Sequence, residues 1–350
     1  QQPKPNITKI FAARKNGATY NFGADTRKVY FLARGNSNNK QGLAEPGFLR
    51  VLTDGAIDLQ NWMMEPSGDT MVERPPRVAL AHWITDADDG AGHLLARVIV
   101  NRLWQHHMGR GIVATPSDFG TQGAAPTHPE LLDYLAAELI RGGWNLKPIH
   151  KMIMMSATYR QGGATNDLAA QVDPDNLLWW RRGAIRLEAE VIRDSLLVVS
   201  DSLDKRMFGK GSLNENDPRR SVYLTVKRDK LIPILQLFDA PDAIQSIGHR
   251  NVTTVPPQAL AMMNSPLVRQ WAEKLATRVR PSADVAGEQV VNDNYAITLS
   301  RGPTDAERQR MVGFIDAQSA TYGGGEAGLK RAVGDYCQLM LCLNEFMFID

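Results

Sequence analysis

Cysteine is nearly absent, with two in 350 residues, and that scarcity removes several possibilities at once. Without a Cys-x-x-Cys-His run, no haem can be attached covalently to this chain. Cys337 and Cys342 sit five residues apart in an apolar helical pattern. That is about 7.5 Å along a helix axis with the side chains pointing different ways, outside ordinary disulfide reach. Both read as small core residues. No apolar run approaches the roughly 20 residues that span a bilayer, so no transmembrane segment is expected. Neither sign of charge dominates: 40 Lys and Arg face 38 Asp and Glu, a net charge of +2. That balance argues against nucleic acid as a partner. A Gly-rich phosphate loop, a Gly-x-Ser-x-Gly elbow and a His-Glu-x-x-His motif are also missing. The start, Gln1 to Pro5, has no charged stretch followed by an apolar one, and is compatible with a mature N-terminus whose signal peptide has been removed.

What remains is ordinary globular composition, 43% hydrophobic and 22% charged, long enough for one large or two modest domains. Residues 1–75 differ from the rest. Lys28 to Arg34 reads as a strand, Gly35 to Gly42 as a turn or loop, Pro46 to Thr53 as a second extended piece and Pro66 to Pro76 as a linker. This segment is expected to act as a strap, with Val29, Phe31 and Leu32 packed beside a strand at Ser221 to Arg228. From residue 76 to 350 the period is helical. Helices are expected over Arg77 to Thr85, Ala91 to Met108, Leu131 to Ile140, Asn145 to about Tyr159 and Ile185 to Ser200. Further ones follow over Ser265 to Val279 and Ala327 to Phe346. Thr127 with Glu130, and Thr304 with Glu307, have the spacing of capping boxes. The fold class is therefore mainly α, a multi-helix domain with a small β element near the N-terminus and another mid-chain.

Three groups of residues could carry chemistry. On a helix from Ile185, residues Arg186, Glu190, Arg193 and Asp194 fall within an arc of about 100°, flanked by apolar residues. Glu190 and Asp194 are like charges four apart, unfavourable without intervening cations. They fit either a carboxylate pair for acid/base work or metal binding, or an Arg–carboxylate network that locks the helix to its neighbours. The stretch Asn101 to Gly120 with Thr127 to Leu132 gathers ionisable groups beside apolar ones. There His107 faces the core side, and His106, on the polar side beside Arg102, is the better candidate, joining Glu190, Asp194 and Arg193 as a catalytic candidate. His106, Asp118 and His128 are the residues that a metal would take, although their spacing matches no ligand motif and no metal or cofactor is expected. Finally, Arg250, Asn251, Thr253, Thr254 and Gln258 crowd one loop before a helix. They suit substrate hydroxyls or an anion, or equally the loop's own backbone. Trp83, Trp104 and Trp271 read as core, and Trp179-Trp180 as an exposed pair.

Val29 to Gly35, Leu80 to Ile84, Asn101 to Gly120, Thr127 to Leu135, Ile153 to Arg160, Arg186 to Asp194, Phe238 to Pro241, Arg250 to Pro266 and Leu299 to Thr304 together resemble the planctomycete surface domain family, a domain of unknown function. The resemblance covers nearly the whole chain in order. It implies an address outside the cytoplasm, in the periplasm or at the cell surface, and a redox or polysaccharide-utilisation setting. In that family such a region often follows a c-type cytochrome module and a second uncharacterised domain, both absent from this chain. The family has no agreed catalytic residues to carry over. The reading is an extracytoplasmic assembly or binding module. Its expected partners are proteins carrying c-type haem or the upstream modules, with polysaccharide as a further candidate. Two rivals stand beside it: a carbohydrate-active enzyme with Glu190 and Asp194 as acid and base, and a haem-free redox subunit that docks a cytochrome.

Overall fold

Helices opened by proline or by a capping side chain set most of this architecture. The computed structural model describes residues 29–44, 47–53, 60–228 and 230–349. Among them are fifteen α-helices and three two-stranded antiparallel sheets, so the fold is mainly α with small β elements near the N-terminus and mid-chain. The chain packs as two compact units that meet in sequence at Arg160 and Gln161. The division expected at residue 75 falls inside the first of them.

In the first unit, Tyr30–Leu32 pairs with Lys40–Leu43, so the expected strand is shorter and the loop after it folds back as its partner. Val29 and Phe31 are more than half exposed and Leu32 is exposed too, contrary to the expected packing. The hairpin satisfies its own backbone, and nothing compels a third strand. Arg50–Leu52 forms a 3-10 turn rather than an extended piece. The expected linker contains a second hairpin, Met64–Ser67 with Thr70–Glu73. Gly68, at φ +61°, occupies the first position of its two-residue turn, where glycine adopts the left-handed backbone without steric cost. Phe48 stacks on Trp83 at 5.3 Å and meets Trp62 edge-on at 5.4 Å. The Trp62 indole donates to Asp86 at 2.8 Å. These contacts form a satellite core.

Helices Pro76–Thr85, Gly92–Met108, Pro129–Arg141 and Leu146–Met155 follow. Asn101 is fully buried. Its amide clamps Val113, accepting from the N–H at 2.8 Å and donating to the carbonyl at 3.1 Å. A Cβ at Gly111 would stand 2.7 Å from that amide nitrogen, which explains the glycine. Asn145 caps its helix through Lys147 N–H as expected. The box at Thr127 does not form, because the helix starts one residue later. His128 holds the cap position, and Thr127 hydrogen-bonds Ile112 through both its N–H and its hydroxyl.

The second unit is a helical core around Ala189–Val199, Pro266–Val279, Gly287–Leu299, Asp305–Thr321 and Gly325–Leu341. Leu196, Ala272, Leu275, Val291, Ala332, Tyr336, Cys337 and Met340 share its interior. Both cysteines are free, and burial pushes each thiol up from its ordinary range. The Thr304–Glu307 box forms with both reciprocal bonds. Four expectations need correction here. Ile185–Arg186 is a strand paired with Phe348–Ile349, so the helix starts only at Ala189, and Arg186 is not on it. Ser221 to Arg228 begins as a 3-10 turn over Ser221–Tyr223 and keeps only an isolated bridge from Leu224 to Ser212. The final helix ends at Leu341, and a separate short helix, Asn344–Met347, precedes the last strand. Trp179 is buried and Trp180 half-buried, its indole donating to the Asp173 carbonyl at 2.8 Å, so that pair is not an exposed platform. No helix among the described residues is long and apolar enough to cross a membrane.

Candidate functional site

The helix Ala189–Val199 presents its polar residues in two directions. Glu190, in its first turn, receives a two-pronged bond from Arg250 at 2.6 and 3.1 Å. Glu188 stands 3.4 Å from the same guanidinium. Burial raises the Glu190 carboxyl, but the Arg250 hydrogen bonds, its own backbone N–H and the Arg250 charge together outweigh it and hold the group below the usual carboxylate range. One turn on, Arg193 has no exposed surface. It donates to the carbonyls of Glu215, Asp217 and Arg219 and to the Ser221 hydroxyl. Asp194 is 3.7 Å from Arg193 and accepts the Ser221 N–H at 2.7 Å, with Arg220 at 3.6 Å on its other oxygen.

Arg186 approaches from the strand. It bonds the Thr253 carbonyl at 2.6 Å, the Phe238 carbonyl at 3.2 Å and Asp239 at 2.7 Å. Asp239 sits in the left-handed region at φ +62° and also accepts from the Thr253 N–H and hydroxyl at 2.9 Å. Burial raises its carboxyl, and these bonds from Thr253 and Arg186 bring it below the ordinary range. Gln258 completes the arrangement. Its amide donates to the Leu237 carbonyl at 3.0 Å and the Thr253 hydroxyl at 3.3 Å, and its oxygen accepts the Val255 N–H.

The four residues of the expected stripe therefore fall into three separate locks: Glu190 with Arg250, Arg193 and Asp194 with the 215–221 loop, and Arg186 with Asp239 and Thr253. The structure does bring Glu190 and Arg186 to the Arg250–Gln258 loop. Within that loop Arg250, Thr253 and Gln258 are engaged, while Asn251 and Thr254 are exposed. The partners that sequence reasoning missed are Asp239, Glu188 and Ser221. Asp239 lies in the Phe238–Pro241 turn, and a carboxylate in a turn that needs a left-handed residue was the available signal.

In the first unit His106 and Asp118 are exposed and His128 half-buried. Among the described residues no three His, Cys, Asp or Glu side chains lie within reach of one ion, so the structure does not gather His106, Asp118 and His128. His107 is half-buried, its Nε2 2.8 Å from Nδ1 of His150, with the Tyr159 ring edge-on at 5.5 Å.

These ion pairs have a consequence in acid. Glu307 is held at about 2, chiefly by the Arg301 hydrogen bond and then by the Thr304 N–H. Glu190, Asp239, Asp335 and Glu345 are all held below their usual values too. A carboxyl with a depressed folded pKa binds fewer protons folded than unfolded. Its stabilisation is complete above the unfolded value of about 4 and is lost as pH falls toward the folded one. The urea midpoint is expected to hold steady from about pH 7 to 5 and to drop steeply below about pH 4. A midpoint at pH 3 equal to that at pH 6 would show that the pairs carry no stability.

The sequence matches the model of the PSD1 family, described as a protein of unknown function (DUF1553), over residues 76–315. That span contains all three locks. No curated protein and no solved structure matches the chain.

Proposed function

We propose that this chain, which belongs to the PSD1 family of proteins of unknown function, is an extracytoplasmic binding or assembly module that holds its partners rather than transforming them. The observation that carries this reading is the engagement of both candidate carboxylates. A hydrolytic pair needs one carboxyl able to give a proton and the other facing a substrate across several ångströms. Glu190 instead has both oxygens on Arg250, which favours its ionised form. Asp194 has one oxygen on the Ser221 N–H and the other near Arg220. Groups held in this way position loops. The address outside the cytoplasm, and partners carrying c-type haem or the upstream modules, rest on the resemblance of the residue blocks to the planctomycete surface domain.

Glu190→Gln separates the two readings. The pair is about one-third exposed on each side, so its loss should cost only about 1 kcal/mol. That is a melting temperature lower by roughly 2–4 °C. The purified chain and the variant should alike release no reducing ends from a panel of polysaccharides. Native material should co-elute with a chain that shows haem absorbance. Release of reducing ends by the wild type that disappears in Glu190→Gln would overturn the proposal and install Glu190 as a catalytic group.

A further inference from the structure

We infer that a cleft in the second unit, between the turn around Phe208 and the loop 214–219, binds an acidic oligosaccharide. This inference rests on the binding-module reading and supplies it with a ligand class. The cleft is open and about 500 Å³ in volume, lined among others by Arg206, Phe208, Asn214, Asn216, Asp217 and Arg219. Its walls are braced. Arg193, wholly buried, grips one wall from beneath through the carbonyls of Glu215, Asp217 and Arg219. Arg219 ties that wall to the other by donating to the carbonyls of Phe208 at 3.2 Å and Lys210 at 2.7 Å. Its guanidinium also lies 4.9 Å from the Tyr223 ring. The Tyr223 hydroxyl in turn accepts the Phe208 N–H at 2.9 Å.

That bracing holds an unfavourable arrangement in place. Phe208 is 64% exposed and has φ +70°, a backbone region that bulky side chains rarely enter. Packing gives no reason for an aromatic here, since its ring adds nothing to the core. A sugar gives one: its C–H face lies against an aromatic ring while planar amides and carboxylates bond its hydroxyls. Asn214, Asn216 and Asp217 provide those planar groups on the opposite wall.

Charge selects among sugars. Between Asp204 and Arg228 there are seven Lys and Arg against three Asp and Glu, a local excess of four positive charges in a chain whose total is +2. Of the two cations in the lining, Arg219 stands 3.5 Å from Asp217 and Arg206 pairs with Asp204 at 2.6 Å, yet the Arg206 side chain is 80% exposed. A carboxylated or sulfated glycan would be drawn to it and to the surrounding excess. Nucleic acid fits less well. A single exposed ring offers one stack where a nucleic-acid strand needs a series.

The test is calorimetric titration of the full chain with an oligogalacturonate, a neutral malto-oligosaccharide of equal length and a short DNA duplex. Oligogalacturonate should bind at least about tenfold more tightly than the neutral sugar, as loss of charge pairing implies. Phe208→Asn, which suits the left-handed backbone, should weaken binding about five- to tenfold, the scale of one aromatic contact. Arg206→Gln should weaken it as well. Both side chains are exposed, so the melting temperature should not fall and a folding defect would be visible as such. Absence of oligogalacturonate binding, binding indifferent to Phe208→Asn, or equal binding of the duplex would each overturn the site. None of these would touch the binding-module reading, which fails only if a polysaccharide is cleaved.

Discussion

Arg193→Ala should lower stability by about 3–5 kcal/mol, the range found when one member of a buried charged network is removed. In a unit of this size that is a fall in melting temperature of roughly 10 °C. The reasoning begins with position. Arg193 lies on the inward side of Ala189–Val199 with no exposed surface, between the buried Ile192 and Leu196. Its charge is answered at a distance, by Asp194 at 3.7 Å, and mainly by carbonyl oxygens. Burial pushes its pKa down, and Asp194, Asp217 and Glu215 only partly restore it. Truncation would leave the carbonyls of residues 215, 217 and 219 without their donor, each costing about 1 kcal/mol or more where water cannot reach. Arg193→Lys should recover little, since one ammonium cannot replace a fork that serves three carbonyls and a hydroxyl. Urea denaturation checks this, and a loss below about 1 kcal/mol would mean that the 215–221 loop holds itself. The same variant should also abolish oligogalacturonate binding, because the floor of the cleft hangs on that side chain.

How much of this could be read in advance follows from the range over which each cause acts. Local causes were legible. Asn145 and Thr304 cap helices because a short oxygen stands beside orphan N–H groups, and Pro266 opens a helix because its missing N–H is not needed there. Trp83, Trp104 and Trp271 fell on core faces and are buried. Distant causes were not legible. The apolar pattern runs unbroken from Ile185 into the helix, and only pairing with Phe348–Ile349 at the far end of the chain turns Ile185–Arg186 into a strand. With that strand Arg186 leaves the helical stripe and finds Asp239, 53 residues on. Sequence reading named both Glu190 and Arg250 as candidates but put them in different groups, because nothing in a single chain reports a contact across 60 residues. Ser67-Gly68-Asp69-Thr70 was a local signal that was passed over. The nearby prolines suggested a linker, although Pro66 tolerates the edge of a two-stranded hairpin.

The second large effect concerns the lock that joins the strand to the Arg250–Gln258 loop. Arg186→Met should cost about 3 kcal/mol or more, because it strands Asp239 and frees the carbonyls of Phe238 and Thr253 from a guanidinium only 3% exposed. Methionine keeps the volume and the contact with the Phe238 ring, which lies 5.9 Å from the guanidinium carbon, so the loss reports bonding rather than a cavity. Asp239→Asn should cost less, about 1–2 kcal/mol. Asparagine accepts the left-handed backbone at this position, and its oxygen can still take one of the Thr253 bonds. The double variant decides whether the two residues act together. If Arg186 and Asp239 form one unit, the charge left stranded in either single variant is gone in the pair. The combined loss should then fall short of the sum by about 1–3 kcal/mol. Additive losses would mean that Arg186 works through the two carbonyls alone, and that Asp239 is there to shape its own turn and hold Thr253.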